Sequence, residues 1–202
     1  MIEAYGLSES CSAVACTRPE QVRKPGSAGT AIGKAIIKIF DDEDNELPHG
    51  QSGEIMINGP LVMKGYHHRP KETEEALRGG WLHTGDVGFL DKDGYLFITD
   101  RKKDMIIKGD ENIYPSEIEN VLLQHPCIAE AAVIGIPDKK YGEEVIAYVV
   151  KEPDVKLTED EVILHCQKNY SKFKCPAAVR FIESLPKSMV GKILKKELRK
   201  ME

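Results

Sequence analysis

Five consecutive charged residues, Asp100-Arg101-Lys102-Lys103-Asp104, sit between two apolar runs, Tyr95-Leu96-Phe97-Ile98-Thr99 and Met105-Ile106-Ile107. Unpaired charge is costly to bury, so this junction stays in water and neither neighbour can draw it into a core. Two arrangements satisfy that constraint: an ordinary hairpin with a basic loop, or a solvated hinge between two separately packed bodies. The flanking sequence favours the hinge. Thr84-Gly85-Asp86 precedes the junction, and a polar turn, Lys108-Gly109-Asp110-Glu111-Asn112, follows it. Then comes Ile113-Tyr114-Pro115-Ser116-Glu117-Ile118-Glu119, which reads as a helix start capped by Ser116. Glu119 stands three residues on, at the spacing of a capping box.

The two sides of the junction differ in pattern. Upstream, short β-rich runs at 35–40, 54–59, 81–83, 87–90 and 95–99 alternate with turns, among them the hairpin signal Asp91-Lys92-Asp93-Gly94. Residues 17–34, rich in Pro, Gly, Arg and Lys, read as an irregular surface loop. A single short helix is expected at 70–77, with Pro70 near its start. Strands so short and so regularly interrupted suggest a small β-barrel or curled sheet. Downstream, Ile118, Val121 and Leu122 give one buried face to a helix at 116–124. Strands follow at 128–134, 144–150 and 179–182, with a helix between the last two that opens on a Thr158/Glu161 capping box. Lys192 to Met201 reads as a basic final helix. The expected fold class is therefore α+β, with a small β-rich, barrel-like body at 1–102 followed by a compact α+β body at 103–202.

Composition narrows the function classes. The 202 residues are 41% hydrophobic, as in a globular chain, and no run approaches the length of a membrane span. A net charge of -5 argues against a general nucleic-acid binder. Glu3 stands where the basic start of a signal peptide belongs. Five scattered cysteines, Cys11, Cys16, Cys127, Cys166 and Cys175, form no C-x-x-C pair. They read as idle thiols of a cytoplasmic protein, not as a disulfide framework or a zinc site. The opening residues carry more chemistry than a frayed terminus needs, although fraying remains the plain alternative. Tyr5 offers an aromatic face, Gly6 a close backbone approach, Ser8 a hydroxyl and Glu9 a carboxylate for a metal.

Taken in order, several motifs resemble the adenylate-forming superfamily of acyl-CoA synthetases, luciferases and nonribosomal peptide adenylation domains. They are Tyr5-Gly6-Leu7-Ser8-Glu9; Trp81-Leu82-His83-Thr84-Gly85-Asp86; Asp100-Arg101 through Pro115-Ser116-Glu117-Ile118-Glu119; Gly135-Ile136-Pro137-Asp138; Tyr141-Gly142-Glu143; and Pro186-Lys187-Ser188 through Gly191-Lys192. The resemblance covers essentially the whole chain and looks most like the fatty-acyl or aryl-CoA ligases. It implies that residues 1–102 are the last subdomain of a large N-terminal AMP-binding domain and 103–202 a C-terminal lid. The Ser/Thr/Gly-rich phosphate loop of such proteins has no counterpart here, so a fragment that is inactive by itself is expected.

The resemblance also implies the chemistry: a carboxylic acid is activated by Mg2+-ATP to acyl-AMP, then passed to the thiol of coenzyme A. On that pattern Lys192 matches the catalytic lysine, although a solvated lysine of a basic helix fits the bare sequence too. Asp86 and Arg101 match ribose contacts, Tyr5 and Ile98 adenine contacts, and Gly6 and Ser8 the phosphate side. Glu9 matches the magnesium contact and Lys103 the hinge. Gly109, Asp110 and Asn112 match the turn that the thiol passes. Asp110 departs from the pattern, which has glycine there, and this puts the thioester step in doubt. Two further expectations stay open: an adenylation domain loading a separate carrier protein, and a stand-alone nucleotide-binding or interaction module. No nucleic-acid partner and no membrane span are expected.

Overall fold

The computed structural model describes residues 2–189 and 191–202. Contacts divide the chain into two compact units, one ending at Lys103 and the other running from Asp104 to Glu202. Each has its own core.

In the first unit β1 (Ala4–Leu7), β2 (Ser12–Cys16) and β3 (Thr30–Ala31) form a three-stranded antiparallel sheet. A second antiparallel sheet is built in chain order from β4 (Ile36–Phe40), β5 (Gly53–Asn58), β6 (Leu82–Leu90) and β7 (Leu96–Arg101). Helix α1 (Pro70–Ala76) sits between β5 and β6 in sequence. Period-2 alternation turns Ile37 and Ile39 of β4, and Ile55 and Ile57 of β5, into one core with Tyr5, Val14, Leu82 and Leu96.

The barrel-like or curled sheet expected from the short strands is not what forms. Both sheets are open, because the outer strands of the larger one pair with loop segments instead of each other. Residues 27–29 cover the edge of β7, with Ala28 N donating to Leu96 O and Leu96 N to Gly29 O, each at 2.8 Å. At the far edge Leu47 N donates to Ile39 O at 2.7 Å. The expected surface loop at 17–34 is accordingly part interior: Ser27 and Ala28 are buried.

The second unit is α+β. Strands β8 (Ile106–Lys108) and β9 (Glu111–Ile113) form a hairpin; β10 (Ile128–Asp138) and β11 (Gly142–Lys151) form a longer one. The sheet order is β10-β11-β8-β9, and β12 (Ala178–Phe181) pairs parallel with β11. Both faces are covered, so β10 and β11 read as nearly continuous apolar runs. Ala131, Val133, Val145, Ala147 and Val149 pack with Ile118 and Leu122 of α2 (Pro115–Leu122) and with Val162 and Cys166 of α3 (Glu159–Gln167). Ala132, Ile134, Ile146 and Tyr148 point the other way, to Leu185 and Leu198.

Two helix starts came out differently. Thr158 caps α3 as expected, accepting from Glu161 N while Glu161 Oε2 accepts from Thr158 N. The cap of α2 is Tyr114, not Ser116, because Pro115 with its fixed φ takes the first helical position. Glu119 makes no capping box; its Oε1 accepts from Val133 N at 2.8 Å and pairs with Lys195 at 2.8 Å. The final helix shrinks to α4 (Lys195–Leu198), because residues 192–194 pair back with residues 186–188, with Leu194 N donating to Pro186 O at 2.8 Å.

Candidate functional site

In the first unit the site grows from an irregularity in β6. Glu54 pairs with Val87 and Met56 with His83, so Ile55 alone faces Thr84, Gly85 and Asp86. This is a special β-bulge, three residues against one, a device that re-aims side chains beside a site. Gly85 takes φ 69°, in the left-handed region that favours glycine. Thr84 Oγ1 donates to Ile55 O at 2.7 Å and accepts from Asp86 N at 3.1 Å, and Gly85 N donates to Glu54 Oε1 at 3.0 Å.

The bulge delivers Asp86 into a buried polar group. Its Oδ2 accepts from the Tyr5 hydroxyl at 2.8 Å, and Arg101, opposite on β7, brings Nε to within 3.1 Å of Oδ1. Asp86 is 6% exposed, whereas half of the Arg101 side chain meets solvent. Burial, with the nearby Asp86 carboxylate adding to it, pushes the Tyr5 phenol well above its ordinary range, so Tyr5 is a donor. Three residues far apart in sequence are thus joined by direct bonds.

Two clefts of this unit carry most of the remaining expected residues. One, of about 580 Å³, is lined by Tyr5, Gly6 and Ser8 with their neighbours on β1 and β2. The other, of about 480 Å³, is lined by Thr84, Gly85, Asp86, Arg101, Lys102 and Lys103. Gly6 is required by packing: a Cβ there would lie 2.0 Å from Ser12 O. Glu9 accepts from the Tyr66 hydroxyl at 2.9 Å. Among the described residues no three His, Cys, Asp or Glu side chains converge as metal ligands. Ile98, on β7 opposite Gly88, is 41% exposed and lines neither cleft.

Sequence reasoning missed the support behind the bulge. Glu54 is 7% exposed, and its second oxygen accepts from Lys102 Nζ at 3.0 Å. The His83 side chain is nearly enclosed beside it, with Nδ1 3.7 Å from Glu54 Oε2 and no hydrogen-bond partner among the described residues. A glutamate at the head of the apolar run Ile55-Met56-Ile57 was the available signal.

The second unit holds its expected residues on turns. Lys192 is exposed on a tight loop, with Ser188 N donating to Lys192 O at 2.8 Å and Gly191 at φ 78°. Lys187, Lys195 and Lys200 are ion-paired with Glu130, Glu119 and Glu197. Lys192 has no ion pair among the described residues. In the β8–β9 turn Gly109 takes the positive φ, 60°, while Asp110 needs none. Asp110 and Asn112 are exposed. Beneath the turn Lys108 is 4% exposed, paired with Glu144 and donating to Phe173 O at 2.8 Å.

Residues 117–192 match the family model described as AMP-binding enzyme C-terminal domain, and residues 1–67 match that of the AMP-binding enzyme. The chain belongs to the adenylate-forming superfamily. Among its relatives in that superfamily, a long-chain-fatty-acid–CoA ligase of Escherichia coli O6:H1 is 45% identical over 200 residues, covering 98% of this chain and 35% of the relative. A 2-succinylbenzoate–CoA ligase of Bacillus mycoides is 43% identical, covering 98% of this chain and 41% of the relative. The ATP-bound structure of MatB from Rhodopseudomonas palustris superposes with a TM-score of 0.94 at 36% identity, over 99% of this chain and 40% of that one. The amide bond synthetase McbA from Marinactinospora thermotolerans gives 0.89 at 33% identity, over 99% and 42%. This adenylate-forming chain therefore spans well under half the length of the proteins it matches. Among the described residues no helix is long and apolar enough to cross a membrane.

Proposed function

We propose that the chain is the C-terminal part of an AMP-forming acid–thiol ligase. In the first step a carboxylate oxygen attacks the α-phosphorus of ATP, and the bond to pyrophosphate breaks. In the second, the sulfur of coenzyme A attacks the acyl carbon and AMP leaves. The observation that carries this reading is the buried Asp86 carboxylate held between Tyr5 and Arg101 at the edge of an open cleft. A carboxylate fixed by two partners keeps lone pairs for two vicinal ribose hydroxyls. Tyr5 supplies the aromatic wall for adenine, Ile98, exposed on β7, is read as an apolar contact to the same base, and Gly6 and Ser8 supply the phosphate side.

Lys192 supplies the cation for the charge that develops on the transferring group, since an ammonium without an ion pair is free to be offered. Glu9 suits Mg2+, which needs only one or two protein carboxylates when phosphates and water complete its shell. That ion neutralises phosphate charge when bound. Lys103, at the boundary between the two units, serves as the hinge; the turn carrying Gly109, Asp110 and Asn112 faces the thiol. The acid is fatty or aromatic, the classes named for the relatives. Five free thiols support a cytoplasmic setting.

A second reading, with an amine in place of the thiol, draws on the likeness to McbA. ATP–pyrophosphate exchange by the full-length protein across a panel of acids tests the activation step. Product analysis with coenzyme A or an amine as acceptor then separates the two readings. Residues 1–202 alone are expected to give no exchange; acid-dependent exchange by them refutes the division of labour.

A further inference from the structure

Glu54 lies at the head of β5, nearly enclosed, with both carboxylate oxygens engaged. Oε1 accepts from Gly85 N and Oε2 from Lys102 Nζ, each at 3.0 Å. A buried carboxylate is tolerated only when its charge and lone pairs are answered, and the two groups that answer here belong to different parts of the site. Gly85 is the centre of the bulge that carries Asp86; Lys102 immediately precedes Lys103. Lys102 has a second partner, Asp42 at 2.8 Å, but that carboxylate is 74% exposed and Gly85 N bonds to Glu54. Among the described residues Glu54 is the side chain that bonds to both Gly85, at the centre of the bulge, and Lys102, just beyond β7.

We infer that Glu54 is a positioning residue, setting the Thr84-Gly85-Asp86 bulge with one oxygen and the chain entering the hinge with the other. The inference rests on the reading of Asp86 as the ribose contact. A carboxamide separates the two duties, because Glu54→Gln keeps an oxygen for Gly85 N but loses the charge that holds Lys102. Glu54→Ala loses both.

In the full-length enzyme Glu54→Ala is expected to raise the KM for ATP in acid-dependent pyrophosphate exchange by about 10- to 100-fold, the scale of a small misplacement of a binding group. Glu54→Gln recovers most of that loss, and Lys102→Met behaves as Glu54→Gln does. Equal KM values for the Ala and Gln variants, whether both raised or both normal, overturn the inference. Amide exchange at Gly85 in the 202-residue chain decides it independently: protection is expected to be lost in Glu54→Ala and kept in Glu54→Gln. Protection in both variants, or in neither, overturns it as well. Should the wild-type enzyme give no acid-dependent pyrophosphate exchange, the ligase reading fails, while the Gly85 amide still decides the placement of Glu54.

Discussion

The two units build their candidate residues in opposite ways. Around Asp86 the groups are committed: Tyr5, Arg101 and Thr84 each engage Asp86, Glu54 behind them holds Gly85 N, and Asp86 is almost wholly enclosed. Around Lys192 and Gly109 the backbone is fixed by turns, but the side chains offered are exposed. A preorganised carboxylate suits a ligand that is bound throughout a reaction, because its partners need not rearrange. An exposed lysine on a turn suits a charge wanted for one step only. The same contrast says where stability resides: substitutions at the first site are expected to disturb a core, and those at the exposed second site to leave it intact.

Lys192→Ala gives the largest expected effect and tests the contrast most sharply. In the full-length enzyme acyl-AMP formation should slow by about 10²–10³, the scale of one transition-state charge contact. Thiolysis of supplied acyl-AMP and the melting temperature should stay near wild type. Equal losses in both half-reactions would break the assignment of Lys192 to one step.

Asp86→Ala is the counterpart in the first unit and should cost both binding and stability. Tyr5 Oη loses its buried acceptor while the half-exposed Arg101 turns to water, and an unanswered buried donor costs about 1–3 kcal/mol. Urea denaturation of the 202-residue chain measures this, and a loss below about 0.5 kcal/mol, the range of ordinary surface changes, would mean that the group is not a packed unit.

The raised Tyr5 pKa gives a subtler test. The folded state holds the phenol proton above the ordinary value of 10.0, so the unfolded chain binds fewer protons once pH exceeds about 10. Stability from this group is full below that pH and falls as pH rises beyond it. Tyr5→Phe should flatten the alkaline limb of stability against pH, measured by denaturation between pH 8 and about 11. An unchanged slope would count against the burial of this hydroxyl.

The smallest effect is expected at Asp110. Its side chain is exposed and Gly109 already takes the unusual backbone angle, so Asp110→Gly relieves no strain. Removing one solvated charge should change the single-turnover thiolysis rate by less than about fivefold, with adenylation unaltered. A larger rise would place the carboxylate in the path of the thiol.

Much of this was legible in the sequence because the relevant signals are local. The Thr158/Glu161 box, the Asp91–Gly94 hairpin and the charged stretch before Asp104 need only neighbouring residues to be read. The open sheets were hidden because their edges are covered by residues 27–29 and 46–47, which have no alternating pattern of their own. Ser116 was misread as a cap because a proline one position earlier had already started the helix. The Tyr5–Asp86–Arg101 group could be suspected only through the resemblance, since no spacing rule brings residue 5 to residue 86. Glu54 went unseen because a carboxylate beside apolar residues reads as a strand end until its two partners are known.

The loop that carries Lys192 is pinned on both sides: Lys187 pairs with Glu130 on β10 at 2.6 Å, and Lys195 with Glu119 on α2 at 2.8 Å. Two clamped lysines thus bracket one that has no ion pair among the described residues. On the proposed role of Lys192, the reach of its ammonium is expected to come from its own four-carbon stem more than from drift of the flanking, ion-paired residues. Neutralising Glu119 or Glu130 would lengthen the leash without touching the charge at its end.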